Sequence, residues 1–575
     1  MAGPWLTIPL CFVASWLSAQ PSQPFTDSVD VQVVEVDVVV TKKGRPVKGL
    51  SPEDFELYVD GQPVEISNFH ESTIYLEERG GRRTRKQRAV IRREAVGGAS
   101  DATEAGLTVV LYLDEPNIYP AHRSRLLKRL ESAVEPWRSL GAHFMLVRFD
   151  HRVEVLVPPT RDLDLVLAGA NAVPKGSPRA VQNGTGARRN AIRNLIVSHE
   201  NCSASQGCRP CQDNWGELLS IARQFADSQA TGAAIAADGL ADLVTTLSGV
   251  SGRKSVVHLT DGLPQRPGIS VLGYLGNELC RDRRQSAPSE TMSEMVQYDE
   301  SARFNRLAVH ANTNRVTFYG LDAAGLRSAA PDITLDDHTL SPSFQNVSLV
   351  AMNAQSGLHV LAQETGGKAL TNANDLAILL DDMTGQFAAS YSLGFVERAP
   401  SNERTRQIKV LLAPGADKGR RIEYRRTYRN KSLEERLAEQ LLAVAYLGNE
   451  RNPLGAHIDT GRTKPLGGRT HKLPVAVSLP AESIVRLPGK AGAPYAPGRA
   501  RLWLVAVADD KGARTTVREQ MVTVGDGDAI VDGHYRFEVG MNLPEGSYQV
   551  AVGVRDETSG VLSLVRKPVL VPTVD

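Results

Sequence analysis

The feature that most constrains this chain is a pair of short apolar runs that each lead into an aspartate: Leu107-Thr-Val-Val-Leu-Tyr-Leu-Asp114 and Ser255-Val-Val-His-Leu-Thr-Asp261-Gly262. Runs of this length, apolar on both faces, suit strands buried between two helical layers of a parallel sheet. Strands of such a sheet all end at one edge, where open α/β sheets bind their ligands. Both aspartates are therefore expected at a common carboxyl edge. Between them lie a helix-like segment from Ala121 to Trp137, a strand Phe144-Met-Leu-Val-Arg-Phe149 and an Ala/Leu-rich helix from Ala233 to Leu247, the alternation that builds this architecture.

That order of elements resembles a von Willebrand factor type A domain. In that family the first strand ends in Asp-x-Ser-x-Ser, a threonine precedes a later helix and an aspartate follows the fourth strand, and their oxygens together hold a divalent cation, Mg2+ or Mn2+. The resemblance carries those roles onto Asp114, Thr231 and Asp261. Pro116 and Ile118 replace the two serines and have no side-chain oxygen to give. A hard cation needs a near-complete shell of oxygen ligands, so the metal-ion-dependent adhesion site is degenerate. Glu115 and Asn117 are the neighbouring candidates to substitute as ligands. The other reading of Asp114 is a cap or turn residue that opens the next helix.

The likeness continues on both sides of these strands. Val33-Val-Glu-Val-Asp-Val-Val-Val-Thr-Lys-Lys-Gly44 with Leu50-Ser-Pro-Glu-Asp-Phe55 and Val59-Asp-Gly61 comes first; Val316-Thr-Phe-Tyr-Gly-Leu-Asp322, Thr365-Gly-Gly367, Asn374-Asp-Leu376 and Ser390-Tyr-Ser-Leu-Gly-Phe395 follow. In this order they resemble the von Willebrand factor A-related domain proteins typical of Acidobacteria, over about Val31 to Tyr428. The resemblance implies a doubly wound, Rossmann-like α/β domain inserted in or flanked by a small β domain. It also implies an exported or envelope-associated protein of adhesion type that binds an unidentified protein ligand. A metal-independent envelope scaffold and a metal-dependent hydrolase are the alternatives.

Periodicity divides the chain further. Residues 29–75 alternate apolar and polar positions as a small β unit, 76–104 form a basic linker, and 105–388 form the A-like domain with long insertions. Residues 389–430 supply strands that complete the first β unit, 431–470 a helix and linker, and 471–575 short strands between Gly, Pro, Asp and Asn turns. That last pattern fits a C-terminal β-sandwich of immunoglobulin-like shape. The turns Asp509-Asp-Lys-Gly512 and Gly525-Asp-Gly-Asp528 read as hairpin turns rather than calcium loops, for they lack a full ligand series.

With 575 residues and a formal charge of +1, the chain has no global bias toward nucleic acid. The basic run from Arg79 to Arg93 reads as a solvated linker. Trp5 to Ala19 is apolar, too short to span a bilayer comfortably, and ends in Leu17-Ser-Ala19 before polar residues. Residues 1–19 thus read as a signal peptide, placing the protein outside the cell, in the periplasm or at the cell envelope. In that setting Cys202, Cys208, Cys211 and Cys280 are disulfide candidates with three possible pairings. The two-residue spacing of Cys208-Arg-Pro-Cys211 leaves zinc as the competing reading. No Gly-x-Ser-x-Gly, His-Glu-x-x-His or phosphate-loop motif occurs, and His143, His151 and His258, near the strands, receive no catalytic role. The chain is accordingly read as a non-enzyme.

Overall fold

The computed structural model describes residues 32–73, 106–173, 186–280, 286–325, 344–372, 380, 383–387, 389–397, 404–488, 495–508, 515, 517–525 and 530–572. The leader, the basic run and the turns at 509–512 and 526–528 lie outside the described residues.

At the centre is a six-stranded sheet in the order Ala369–Leu370, Val316–Asp322, Arg253–Thr260, Leu107–Asp114, His143–Phe149, Val153–Thr160. All neighbours are parallel except the last pair. Alternate residues of each strand face opposite helical layers. Leu111, Leu113, Val257, Leu259 and Leu321 pack on Leu126, Leu130 and Trp137. Val110, Tyr112, Val256 and Phe318 pack on Leu240, Leu243, Leu247, Phe304 and Leu358. The chain leaves Leu107–Asp114 toward His143–Phe149 on one side and returns to Arg253–Thr260 on the other, so the sheet's switch point lies beside Asp114.

Two sequence-based helix assignments are corrected. The segment read as Ala121 to Trp137 is an α-helix over Pro120–Ala133 followed by a tighter turn over Glu135–Leu140. The helix read as Ala233 to Leu247 begins at Trp215 and runs 33 residues without a break. Its first half is held by an added helical layer, in which Trp215, Leu218, Leu219 and Phe225 pack against Ile192 and Leu195 of Ala187–Ala204 and against Val271 and Leu272. Disulfides Cys202–Cys208 and Cys211–Cys280, each with Cα atoms 5.5 Å apart, staple this layer. They pair the four candidate cysteines, which overturns the zinc alternative.

Two antiparallel sheets join segments from either side of the central unit. One has the order Arg420–Tyr424, Gln32–Lys42, Ala389–Glu397, Asn68–Thr73; the other Thr427–Arg429, Thr405–Leu412, Phe55–Val59, Gln62–Val64. Val36 pairs with Leu393 and Val38 with both Tyr391 and Tyr424, so the even-numbered residues of the first strand face the core shared with Phe55, Leu57, Ile408 and Val410.

Beyond Tyr428, Leu433–Leu447 is a helix whose N-cap Ser432 accepts a hydrogen bond from the Glu435 N–H at 3.1 Å. Ser432→Ala is expected to lower stability in a denaturant titration by about 1 kcal/mol, the usual worth of a cap; an unchanged midpoint would show the cap to be idle. The helix packs on Trp503, Val505 and Ala551 of the outer face of a sheet ordered Arg518–Val524, Gly498–Ala508, Gly546–Asp556, Leu562–Val571. A second antiparallel sheet, built on Thr470–Pro480 and His534–Pro544, shares the core of Leu473, Val475, Leu502, Leu504, Val550 and Val552. The chain is thus a multidomain assembly of one mixed α/β unit and antiparallel β-sheets. Among the described residues no helix is long and apolar enough to cross a membrane.

Candidate functional site

The carboxyl edge at the switch point gathers most of the residues singled out by sequence. Asp114 ends its strand almost fully buried, at 1% exposure. Burying a carboxylate is costly unless it is paired and hydrogen-bonded, and here two neighbours meet that need. His258 Nε2 lies 2.9 Å from Asp114 Oδ2, and Asn117 Nδ2 donates to Oδ1 at 2.9 Å. His258 comes from the adjacent parallel strand, where it stands opposite Tyr112. Burial, and then the charges of Asp114 and Asp242, push the Tyr112 phenol well above its ordinary range.

The short turn Glu115–Asn117 carries the chain from Asp114 to Ile118, which is buried. The Asn117 carbonyl accepts the Asp261 N–H at 2.8 Å, tying the two strand ends together. Asp261 in turn accepts the Tyr119 N–H on Oδ2 at 2.6 Å, and the same oxygen lies 2.8 Å from His122 Nδ1. Gly262 follows at φ +151°, where a Cβ would lie 2.7 Å from the Ala354 carbonyl oxygen. A side chain there would push the loop off the helix Phe344–Thr365, which explains the Asp-Gly pair.

The remaining candidates point elsewhere. The Thr231 hydroxyl donates to the Asp227 carbonyl at 2.9 Å, within the unbroken helix Trp215–Leu247. Glu115 Oε1 faces Arg123 Nε at 3.1 Å. Burial raises its pKa even though Arg123 and Arg148 pull the other way. Asn117 turns its amide nitrogen, not its oxygen, toward Asp114. Among the described residues no group of three or more His, Cys, Asp or Glu side chains is arranged to hold a metal ion. As arranged, Asp114, Thr231, Asp261, Glu115 and Asn117 do not make the oxygen cage that Mg2+ or Mn2+ requires.

Sequence reasoning assigned no role to four residues that complete this edge. His258 and His122 each face one of the aspartates. Tyr119, 43% exposed, lies against the His122 ring with centroids 5.3 Å apart. Asp322, at the end of the next strand, accepts Gln355 Nε2 at 2.9 Å and the Ala324 N–H at 3.0 Å. The signal available for His258 was its place in a fully buried strand, where a polar side chain needs a partner. Beyond Asp261 a cavity of about 220 Å³ opens between the long helix and Phe344–Thr365, lined by Phe225, Pro264, Pro267, Ile269, Val350 and Asn353.

No protein-family model matches the chain, and no curated protein matches it. Among solved structures it is similar to an aerotolerance-related membrane protein from Bacteroides fragilis NCTC 9343 bearing multiple mutations to serines. That pair is 10% identical with a TM-score of 0.21, covering 49% of this chain and 98% of the other. The vWF domain of the type V pili tip protein Mfa5 from Porphyromonas gingivalis is 12% identical with a TM-score of 0.19, covering 49% of this chain and 95% of that domain. Three N-terminal domains of Mfa5 are 10% identical with a TM-score of 0.25, covering 94% of this chain and 96% of theirs. Similarities at this identity and score establish neither a family nor a function for the chain.

Proposed function

We propose that the chain is an exported or envelope-associated protein-interaction module of von Willebrand A type, which binds a protein ligand at the carboxyl edge of its central sheet without a bound cation. The observation that carries this reading is the buried Asp114 carboxylate, met by His258 and Asn117 where a metal-dependent site would present it to a cation. The residues around it bind and position; the geometry offers an exposed aromatic, Tyr119, beside the His122 and Asp261 pair and the neighbouring apolar cavity. Such a surface, with an aromatic anchor at a polar rim, suits protein recognition.

Calorimetry separates this reading from metal-dependent adhesion. Titrating Mg2+ or Mn2+ into the purified mature protein is expected to release no saturable heat. Micromolar binding that disappears in both Asp114→Ala and Asp261→Ala would instead restore the cation to the mechanism. The binding face itself is tested with a photo-crosslinking residue at position 119 or, as a control, at Leu570 of the terminal sandwich, which is also exposed. A discrete adduct with an envelope protein from position 119 alone is expected; equal adducts from both positions would remove the carboxyl edge from consideration.

A further inference from the structure

The connection between the two sheets of the terminal sandwich, from Thr470–Pro480 to Gly498–Ala508, forms an arm with exposed apolar side chains on both of its faces. Its two described limbs are residues 484–488 and 495–497. Ile484 is buried in the sandwich core, and the Val485 N–H donates to Asp556 Oδ2 at 3.2 Å. Asp556 is fully buried and also accepts from the Thr558 N–H and the Ser559 hydroxyl, so a well-satisfied carboxylate fixes the base of the arm. Farther out, the Ala496 N–H donates to the Leu487 carbonyl at 2.7 Å, and Pro488 pairs with Tyr495.

That pairing sorts the side chains. Residues directly opposite on antiparallel limbs share a face, and successive residues alternate between faces. Tyr495 therefore lies with Pro488 and Arg486, whose guanidinium stands 5.3 Å from the Tyr495 ring centroid. Val485 and Leu487 fall on the other face. Val485, Leu487 and Tyr495 are 43%, 58% and 53% exposed. A protein docked on a surface covers one face of it, whereas apolar side chains on both faces suit a medium that surrounds the arm.

Charge and backbone chemistry name that medium. Between Glu482 and Asp509 the sequence carries Arg486, Lys490, Arg499 and Arg501 and no carboxylate. Arg501 is paired with Glu519 and Glu557, while Arg499 is exposed. An anionic surface is thus attracted and meets no like charge from this stretch. Pro488 and Pro497 have no N–H, so neither adds a donor that dehydration would leave unsatisfied. Exposed aliphatic residues beside a tyrosine and an arginine suit a lipid headgroup boundary, where the ring settles and the guanidinium reaches back to phosphate.

We propose that this arm inserts into the headgroup region of an anionic phospholipid bilayer and holds the protein on a membrane surface. Val485, Leu487 and Tyr495 supply the apolar area, and Arg486 and Arg499 the attraction to lipid phosphate. No residue of the carboxyl edge takes part.

The test is co-sedimentation of the full mature protein with sucrose-loaded vesicles of phosphatidylglycerol and phosphatidylethanolamine, with phosphatidylcholine vesicles in parallel. Saturable binding to the anionic vesicles is expected, about fivefold or more stronger than to phosphatidylcholine. Leu487→Ser and Tyr495→Ser should each weaken it by about tenfold; both side chains are exposed, and either variant keeps the test decisive if the other does not fold. Leu570→Ser, at the end of Gly546–Asp556 remote from Asp556, should leave binding unchanged. An environment-sensitive fluorophore on Leu487→Cys or on Tyr495→Cys should shift to the blue at both positions when vesicles are added. Absence of binding would overturn the proposal in favour of a protein partner. Binding that survives in both serine variants, an equal loss in Leu570→Ser, or a blue shift at only one labelled position would overturn it as well, the last by showing that the arm lies against the surface without entering it.

Discussion

Replacing His258 by alanine is expected to destabilise the central unit by about 3 kcal/mol, because the buried Asp114 side chain loses a hydrogen-bond partner and the ring leaves a cavity. Both side chains of the pair are 1% exposed, so no solvent reaches Asp114 to take over from the imidazole. Asn117 would remain as a single neutral donor. Part of the loss would come from the cavity left by the ring, which packs edge-on to Tyr112 at 5.4 Å between centroids. A double-mutant cycle with Asp114→Asn separates the two contributions. His258→Ala in the Asp114→Asn background should cost markedly less than in the parent, because the carboxyl group that faces the imidazole is already gone. Equal costs in both backgrounds, measured by denaturant titration, would show that the pair contributes only packing.

How far the sequence could foresee this edge follows from the range of the interactions involved. Asp114 and Asp261 were legible because a strand and its terminal turn are local patterns, and a parallel sheet brings strand ends together whatever the loops contain. The mixed α/β and all-β regions were readable on the same ground, with long apolar helical faces in one and short alternating strands in the other. Thr231 shows the limit of spacing as an argument. It stands at a suitable interval before Asp261, but the sequence from Trp215 onward is amphipathic throughout and packs on Leu195 and Leu272, so the helix continues through Thr231 and its hydroxyl bonds back to Asp227. His258 was visible as a polar residue in an apolar strand, yet its partner depends on which strand lies beside it, and strand order is set by tertiary packing. The same holds for Val36 opposite Leu393 and for Cys211 bonded to Cys280: the contacts are between residues far apart in the chain, and nothing local names the partner. At the amino edge, Lys254 and Arg315 are charged residues at strand starts, and nothing local marks them as interior. Only the neighbouring β unit and helix turn them into interior groups.

Lys254 supplies the second large effect, and it is a pH dependence. The side chain is 3% exposed and donates to the Val250 carbonyl at 2.7 Å. Burial first, then the charges of Arg315 and Lys431, lower its pKa from 10.5 to about 7, although Glu439 and Asp37 oppose the change. A folded-state pKa below the unfolded value means that the folded chain holds fewer protons between the two. Stability should therefore rise with pH from about 7 toward 10.5 and fall as pH drops to 7, where folding must retain a charged lysine in the interior. Between pH 7 and pH 9 the gain comes to about 2 kcal/mol. His310, also lowered by burial, has an ordinary value of 6.5 and so acts below this window with the same sign. In Lys254→Met the contribution disappears. The absolute stability of that variant also reflects the lost bond to Val250, so the informative quantity is the slope: the parent should gain on the variant by about 2 kcal/mol from pH 7 to pH 9 in denaturant titrations. Parallel pH profiles for parent and variant would show that Lys254 stays protonated throughout, and with it that the interior at this point tolerates its full positive charge.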